Sequence, residues 1–345
     1  MRFMYQSADV PDAPELVQQV SAAAERIYDT LMAAGPDAPD MDPHYKARYY
    51  HLHFGRLREK LTNSAHHVLW ALSAVGKSPE QAALVDHGGG LGFISLLAKA
   101  VGVGKVIYND IDAKFADAAR GIANVVAARA DQYIVGDVEA LLSEAGTAVD
   151  ALVSYDVLEH IYDLDAFFAK LGSSAICPTV IFASSGANMF SPRCIQQLLP
   201  IQKGRELLNQ SKRINIIRGC APTLSEDDLV LLCRRTRMLV RRDIEEVVER
   251  YVQTKKVEIP KRSGANAHDP YHSNTVDPES GWWAEHLINP YYLTKQLRRY
   301  GYSARIKAGP HEGRGAFLNP VIKALGAPLA LSIAPYYTLF AVKNR

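Results

Sequence analysis

Cysteine is scarce: Cys177, Cys194, Cys220 and Cys233 are the only four in 345 residues, and no two stand in a C-x-x-C pair. So few thiols cannot staple a chain of this size, which excludes a disulfide framework and predicts reduced cysteines in an intracellular, cytoplasmic protein. Net charge is also nearly missing, at +2 from 39 basic and 37 acidic residues, so no global field gathers nucleic acid or anionic lipid. Long apolar runs are absent as well. The most apolar stretch, Phe317 to Val342, is broken by Pro320, Lys323, Pro328 and Pro335. It falls short of the roughly 18 uninterrupted apolar residues a spanning helix needs, and it predicts a buried helix followed by a strand, without stable membrane insertion. The start, MRFMYQSADVPDAPE, lacks the continuous apolar segment of a secretory leader. No internal repeat or low-complexity tract occurs. What remains is ordinary globular composition, 48% hydrophobic and 22% charged, which excludes disorder.

Residues 1–80 read as helical. Leu16, Val20, Ala23, Ile27 and Leu31 recur at helical spacing between Pro14 and Gly35-Pro36. Asp42-Pro43 opens a second helix through HYKARYYHLHFGRLREKL, and Ser64 is a plausible cap for a third, AHHVLWALSAVG. From Ala83 short apolar runs alternate with helical ones: ALVD, KVIYND, QYIVGD, VDALVSYD and PTVIFASS are strands, with YSARIKA and YYTLFAVK completing the set after a long interruption. This rhythm predicts an α/β fold, a Rossmann-like, seven-stranded, mostly parallel sheet with helices on both faces. The expected organisation is an N-terminal helical lid (1–80), a nucleotide-type core (81–185), a mostly helical insertion or cap (186–288) and a C-terminal completion of the sheet (289–345).

The turn after the first strand reads Asp86-His87-Gly88-Gly89-Gly90-Leu91-Gly92. Such glycines let backbone approach a ligand and leave helix N-terminal N–H groups free. A dinucleotide fingerprint begun at Gly88 needs glycine at position 93, which is Phe93, and no phosphate-cradling G-x-x-x-x-G-K-[ST] loop occurs. The loop therefore suits a ligand without a pyrophosphate. Asp110 ends the second strand, where a carboxylate can accept both ribose hydroxyls; Gly136-Asp137-Val138 ends the third, placed for an adenine. A helix N-cap explains either aspartate alone, but not the ordered series.

The fourth strand runs into Tyr155-Asp156-Val157-Leu158-Glu159-His160. Taken in order, Asp86 to Gly92, Asp110, Gly136-Asp137 and this D-V-L-E-H segment resemble the motifs of class I S-adenosylmethionine-dependent methyltransferases of the small-molecule type. The resemblance covers about residues 83 to 185 well and the closing helix and strands more loosely; Gly89 departs from it, since many members carry cysteine or another small residue there. It implies S-adenosylmethionine as cofactor and S-adenosylhomocysteine as product. Gly88 and Gly90 would lie against the methionine part with Asp86 orienting it, Asp110 and Ile111 would meet the ribose, Asp137 and Val138 the adenine, and Tyr155 and Asp156 would line the methyl's exit.

For the transfer, His160 is the first candidate base, followed by His272, Glu285 and His286 from the insertion. Asn274, Trp282, Trp283 and Glu285 combine polar groups with aromatic faces, as a polyhydroxylated acceptor requires, although a tryptophan pair can equally anchor the cap. O-methylation of a small hydroxylated molecule, with sugars and glycan precursors among the acceptors, is the favoured expectation. Alternatives are an NAD(P)-dependent oxidoreductase, opposed by Phe93, and a non-catalytic S-adenosylmethionine-binding protein. No metal is expected, because His268 and His272 flank Pro270; the five arginines from Arg234 to Arg242 read as a solvated helix face rather than a nucleic-acid site.

Overall fold

The structure, a computed structural model, describes residues 3–5, 10–146, 148–260 and 273–344. Pro14 sits in the first turn of α1 (Pro14–Ala34), and Gly35 at φ +86° ends it. Asp42 accepts from the backbone N–H groups of His44 and Tyr45, capping α2 (Pro43–Tyr45), which runs through a π-helical turn (Lys46–Tyr50) into α3 (His51–Phe54). The chain breaks at Gly55-Arg56 and resumes as α4 (Leu57–Val75). The boundary expected at Ser64 does not exist. Its hydroxyl donates back to Lys60 O at 2.9 Å in mid-helix, where burial of one face holds the helix continuous.

Then follow β1 (Ala83–His87), α5 (Phe93–Val101), β2 (Lys105–Asp110), α6 (Ala113–Val126), β3 (Gln132–Val135), α7 (Val138–Glu144), β4 (Ala151–Tyr155), α8 (Leu164–Ser173) and β5 (Val180–Ser185). The insertion contributes α9 (Pro192–Cys220), α10 (Glu226–Arg235) and α11 (Arg241–Thr254). After it come α12 (Pro290–Arg299), β6 (Tyr302–Ala308), α13 (Asn319–Ala324), α14 (Ala327–Ile333) and β7 (Tyr337–Lys343). Among the described residues, seven strands form one sheet in the order β3-β2-β1-β4-β5-β7-β6. Pairings are parallel from β3 to β5, and β7 runs antiparallel to both β5 and β6.

Alternation along the strands feeds two cores. Leu84, Val106, Val153 and Phe182 face α1, α4, α5 and α6, whereas Val85, Ile107, Leu152 and Ile181 face α7, α8 and α12. Residues 1–80 are therefore largely wall: Val20, Ile27, Leu61 and Leu72 belong to the first core. The insertion has a core of its own, built from Ile216, Leu232, Ile244, Val248 and their neighbours. The expected arginine face is ion-paired at the surface, with Arg241 bridging Glu245 and Glu279.

The C-terminal expectation needs correction. In place of one buried helix the chain forms two short ones, because Pro320 and Pro328 each start a new first turn. Phe317 is left 74% exposed, and Val321 and Leu329 are exposed with it. Among the described residues, no helix is long and apolar enough to cross a membrane.

A candidate donor and acceptor cavity at the strand tips

The C-terminal tips of β1, β2, β3 and β4 open into one cavity of about 800 Å³. Its floor is the glycine turn. Gly88 adopts φ +67°, and a Cβ there would stand 2.7 Å from Val157 Cγ1 and closer still to Cγ2. A Cβ at Gly89 would meet the Tyr108 ring at 2.5 Å, which explains why this chain departs from the usual small side chain at that place. Tyr108 in turn donates its hydroxyl to Gly90 O at 2.6 Å, pinning the turn from below.

Three aspartates serve this floor differently. Asp86 is buried, and its Oδ2 accepts from Ser95 N at 2.9 Å and Ser95 Oγ at 2.8 Å, tying β1 to α5. Burial pushes its carboxyl up to about 6. Asp110 accepts from Gly90 N at 2.8 Å and from Asp112 N at 2.9 Å, one bond on each oxygen. Burial raises its pKa too, against those two backbone donors. It is Asp112, not Asp110, that caps α6, through Lys114 N at 2.8 Å. Asp110 thus holds the turn while each oxygen keeps a lone pair for the cavity. Asp137 is exposed and caps α7, accepting from Glu139 N at 2.9 Å and Ala140 N at 3.2 Å.

Asp86, Gly88, Gly90, Asp110, Ile111, Asp137, Val138, Tyr155 and Asp156 all line this cavity. A nucleoside with an amino-acid tail fits such a lining: carboxylate lone pairs for ribose hydroxyls, the apolar Ile111 and Val138 for a base, and a side-chain-free turn for the tail.

The other half of the cavity comes largely from the N-terminal helices. Tyr49, His53, Lys60, Asn63 and His67 line it, opposite in sequence to everything the motifs indicated. The crowding of Tyr49, Tyr50, His51 and His53 on one short stretch was the available signal. Asn63 Nδ2 donates to Tyr155 OH at 3.2 Å, docking α4 on the tip of β4, and Lys60 Nζ lies 5.7 Å from the Tyr155 ring centroid. Burial lowers the Lys60 pKa, with Asp156 opposing the shift. Asp156 opens onto the cavity yet is walled in by protein, at φ +54°; burial raises its pKa, and its Oδ1 accepts from Gly186 N at 3.0 Å. His53 Nδ1 sits 2.9 Å from Tyr49 O, and His67 Nδ1 2.7 Å from Asn63 O. Burial pushes both imidazoles down to about 4, so they are neutral near pH 7.

The remaining sequence-predicted residues divide. His160 and Trp282 line the cavity, stacked with centroids 5.1 Å apart. Trp283 does not: it is 1% exposed, donates Nε1 to Tyr162 O at 3.2 Å and stacks on buried His286 at 4.5 Å. Asn274 is buried away from the cavity, its Oδ1 accepting from Gln202 Nε2 at 3.0 Å and Leu287 N at 3.2 Å. Trp283, Asn274 and His286 thus pack inside the insertion and do not face the cavity. Glu285 lies behind the wall beside Glu159, at φ +52°. His272 falls outside the described residues.

The fold is α/β, with one cavity shared by the strand tips and the N-terminal helices. Residues 85–172 match the family model described as a methyltransferase domain. The matched segment runs from β1 through α8, so this part of the sheet is similar to methyltransferase domains. No curated protein matches the sequence significantly. Among solved structures, a methyltransferase from Archaeoglobus fulgidus aligns at 15% identity over 86% of this chain and 100% of its own, with a TM-score of 0.41. The plantazolicin methyltransferase BamL, solved with a triazolic desmethylPZN analog and S-adenosylhomocysteine, aligns at 8% identity over 94% and 99%, with a TM-score of 0.43. A Thermoplasma acidophilum protein aligns at 18% identity over 37% of this chain, with a TM-score of 0.28, and the chain spans 61% of that protein's length.

Proposed function

We propose that this protein transfers a methyl group from S-adenosylmethionine to an oxygen of a small hydroxylated acceptor, with sugars and glycan precursors as the leading class. The observation that carries this reading is the pair His53 and His67. Each presents Nδ1 to the carbonyl four residues earlier, so Nδ1 bears the hydrogen and Nε2 the lone pair. His67 Nε2 is buried without a hydrogen-bond partner. The neutral His53 imidazole on the cavity wall suits a donor on the bound molecule, and a hydroxyl group supplies one.

When bound, S-adenosylmethionine supplies an activated methyl group, which leaves its sulfur as the acceptor oxygen takes it. Asp110 holds the ribose, and the glycine turn admits the tail without a side-chain clash. The stacked His160 and Trp282 rings give a sugar ring an apolar surface to lie on. His53 Nε2 accepts the hydroxyl proton; a weak base is sufficient, because the hydroxyl becomes strongly acidic as its oxygen gains the methyl. Alignment and exclusion of water within the cavity supply the rest.

The experiment is a screen of hydroxylated acceptors with methyl-labelled cofactor, alongside calorimetry with S-adenosylhomocysteine and NAD. Label in an oxygen-methylated product and binding of S-adenosylhomocysteine alone are expected. Label found only on nitrogen, or binding of NAD in place of S-adenosylhomocysteine, refutes the proposal.

A further inference from the structure

Behind the wall formed by His160 and Trp282, three side chains converge. One carboxylate oxygen of Glu159, one ring nitrogen of His160 and one carboxylate oxygen of Glu285 lie within 4.8 Å of one another. Glu159 is 1% exposed, and its Oε2 has no hydrogen-bond partner. A buried carboxylate oxygen in that state is costly unless a proton or a cation satisfies it.

The other two groups are held by the backbone around them. His160 Nδ1 sits 3.0 Å from Trp283 O, which assigns its hydrogen to Nδ1 and leaves the Nε2 lone pair for a ligand. An imidazole oriented by a backbone carbonyl in this way is the usual support of a metal-binding histidine. Glu285 is carried by a short loop stitched to its partners. Gln202 Nε2 donates to Glu285 O at 2.6 Å, and the next N–H, that of His286, donates to Glu159 O at 3.4 Å. Ligand atoms about 2.1 Å from one ion stand about 3 Å apart when adjacent and about 4.2 Å when opposite. Small side-chain rotations therefore close the set.

We infer that Glu159, His160 and Glu285 form a binding site for a divalent transition-metal cation of the Mn²⁺, Fe²⁺ or Zn²⁺ kind. The imidazole nitrogen disfavours Ca²⁺ and Mg²⁺, and the two hard oxygens disfavour soft cations. Three protein ligands leave coordination positions open. Because His160 belongs both to this set and to the cavity wall, an ion there stands next to the acceptor compartment. Its relevance to the reaction rests on the methyl-transfer reading above, while its existence does not.

The test is titration of chelator-treated full-length protein with Mn²⁺, followed by loss of the free-ion paramagnetic resonance signal. One saturable site is expected, from which Zn²⁺ but not equimolar Mg²⁺ displaces the ion. Glu285→Gln and His160→Gln should each weaken Mn²⁺ at least about tenfold, while S-adenosylhomocysteine affinity stays within about twofold. No saturable binding of either Mn²⁺ or Zn²⁺ by the unaltered protein overturns the inference, and so does full-strength binding in both variants. The unaltered protein decides the first point, so a misfolded variant does not obscure it. Saturable Mn²⁺ binding without S-adenosylhomocysteine binding would support the ion site and remove the methyl-transfer reading.

Discussion

Gly90 donates its backbone N–H to the Asp110 carboxylate at 2.8 Å, joining the turn after β1 to the tip of β2. One side chain thus shapes the cradle floor and presents lone pairs to what lies on it. Replacing Asp110 with alanine should weaken S-adenosylhomocysteine roughly 100-fold or more, since two charged hydrogen bonds are lost along with the turn's anchor. Calorimetry checks this, and an unchanged affinity would mean the ribose lies elsewhere.

Gly88→Ala should abolish donor binding and cost about 1–3 kcal/mol of stability, from overpacking against Val157 and a left-handed backbone. The double variant Gly88→Ala with Val157→Ala should recover part of the stability but not all of it, because the backbone strain remains. Urea denaturation of both variants measures the difference. Full recovery would leave no role for the backbone.

Asp86 yields a pH signature. Its folded-state pKa is raised to about 6, above an unfolded value of about 3.9, so the native state holds the proton more tightly. The stability this contributes is present below pH ~3.9 and is lost as pH rises through ~6. Asp86→Asn removes the titration. Relative to the unaltered protein, the variant should therefore gain about 1 kcal/mol in stability between pH 5 and pH 7.3. Equal differences at both pH values in urea titrations would place the Asp86 carboxyl in an ordinary environment.

The neighbouring tryptophans should separate. Trp283→Ala should destabilise by about 3–5 kcal/mol, because it removes a fully buried indole and its bond to Tyr162 O. Trp282, 46% exposed on the cavity, should cost less than about 1 kcal/mol on the same change while raising the KM for the acceptor. Thermal melts test the first point and acceptor kinetics the second. Equal destabilisation by both would deny Trp282 a place at the acceptor.

The strand-tip lining of the cavity was legible in sequence because its parts are local. A glycine turn, an acidic residue at the next strand end and a further Gly-Asp each follow a strand whose apolar alternation is plain, and the sheet brings those ends together. The helical lining was not, since it depends on how distant helices dock. His53, Lys60 and His67 reach the cavity only because α4 packs on the sheet through Leu61, Val68 and Leu72. Composition drew attention instead to Trp283 and Asn274, whose Nε1 and Oδ1 are taken up by Tyr162 O and by Gln202 with Leu287 N. Likewise Ser64 reads as a cap in isolation, and burial of α4 overrules it. The 29-residue α9, carrying Pro200 inside it, has no periodic signal strong enough to read.

The insertion's separate core, gathered around Ile216, Leu232 and Val248, has a consequence for how such a protein diverges. It meets the sheet scaffold through joints such as the Tyr162 hydroxyl on Asp243 at 3.1 Å. Mutations inside that module can accumulate, and whole helices can be exchanged, while the glycine cradle keeps its shape.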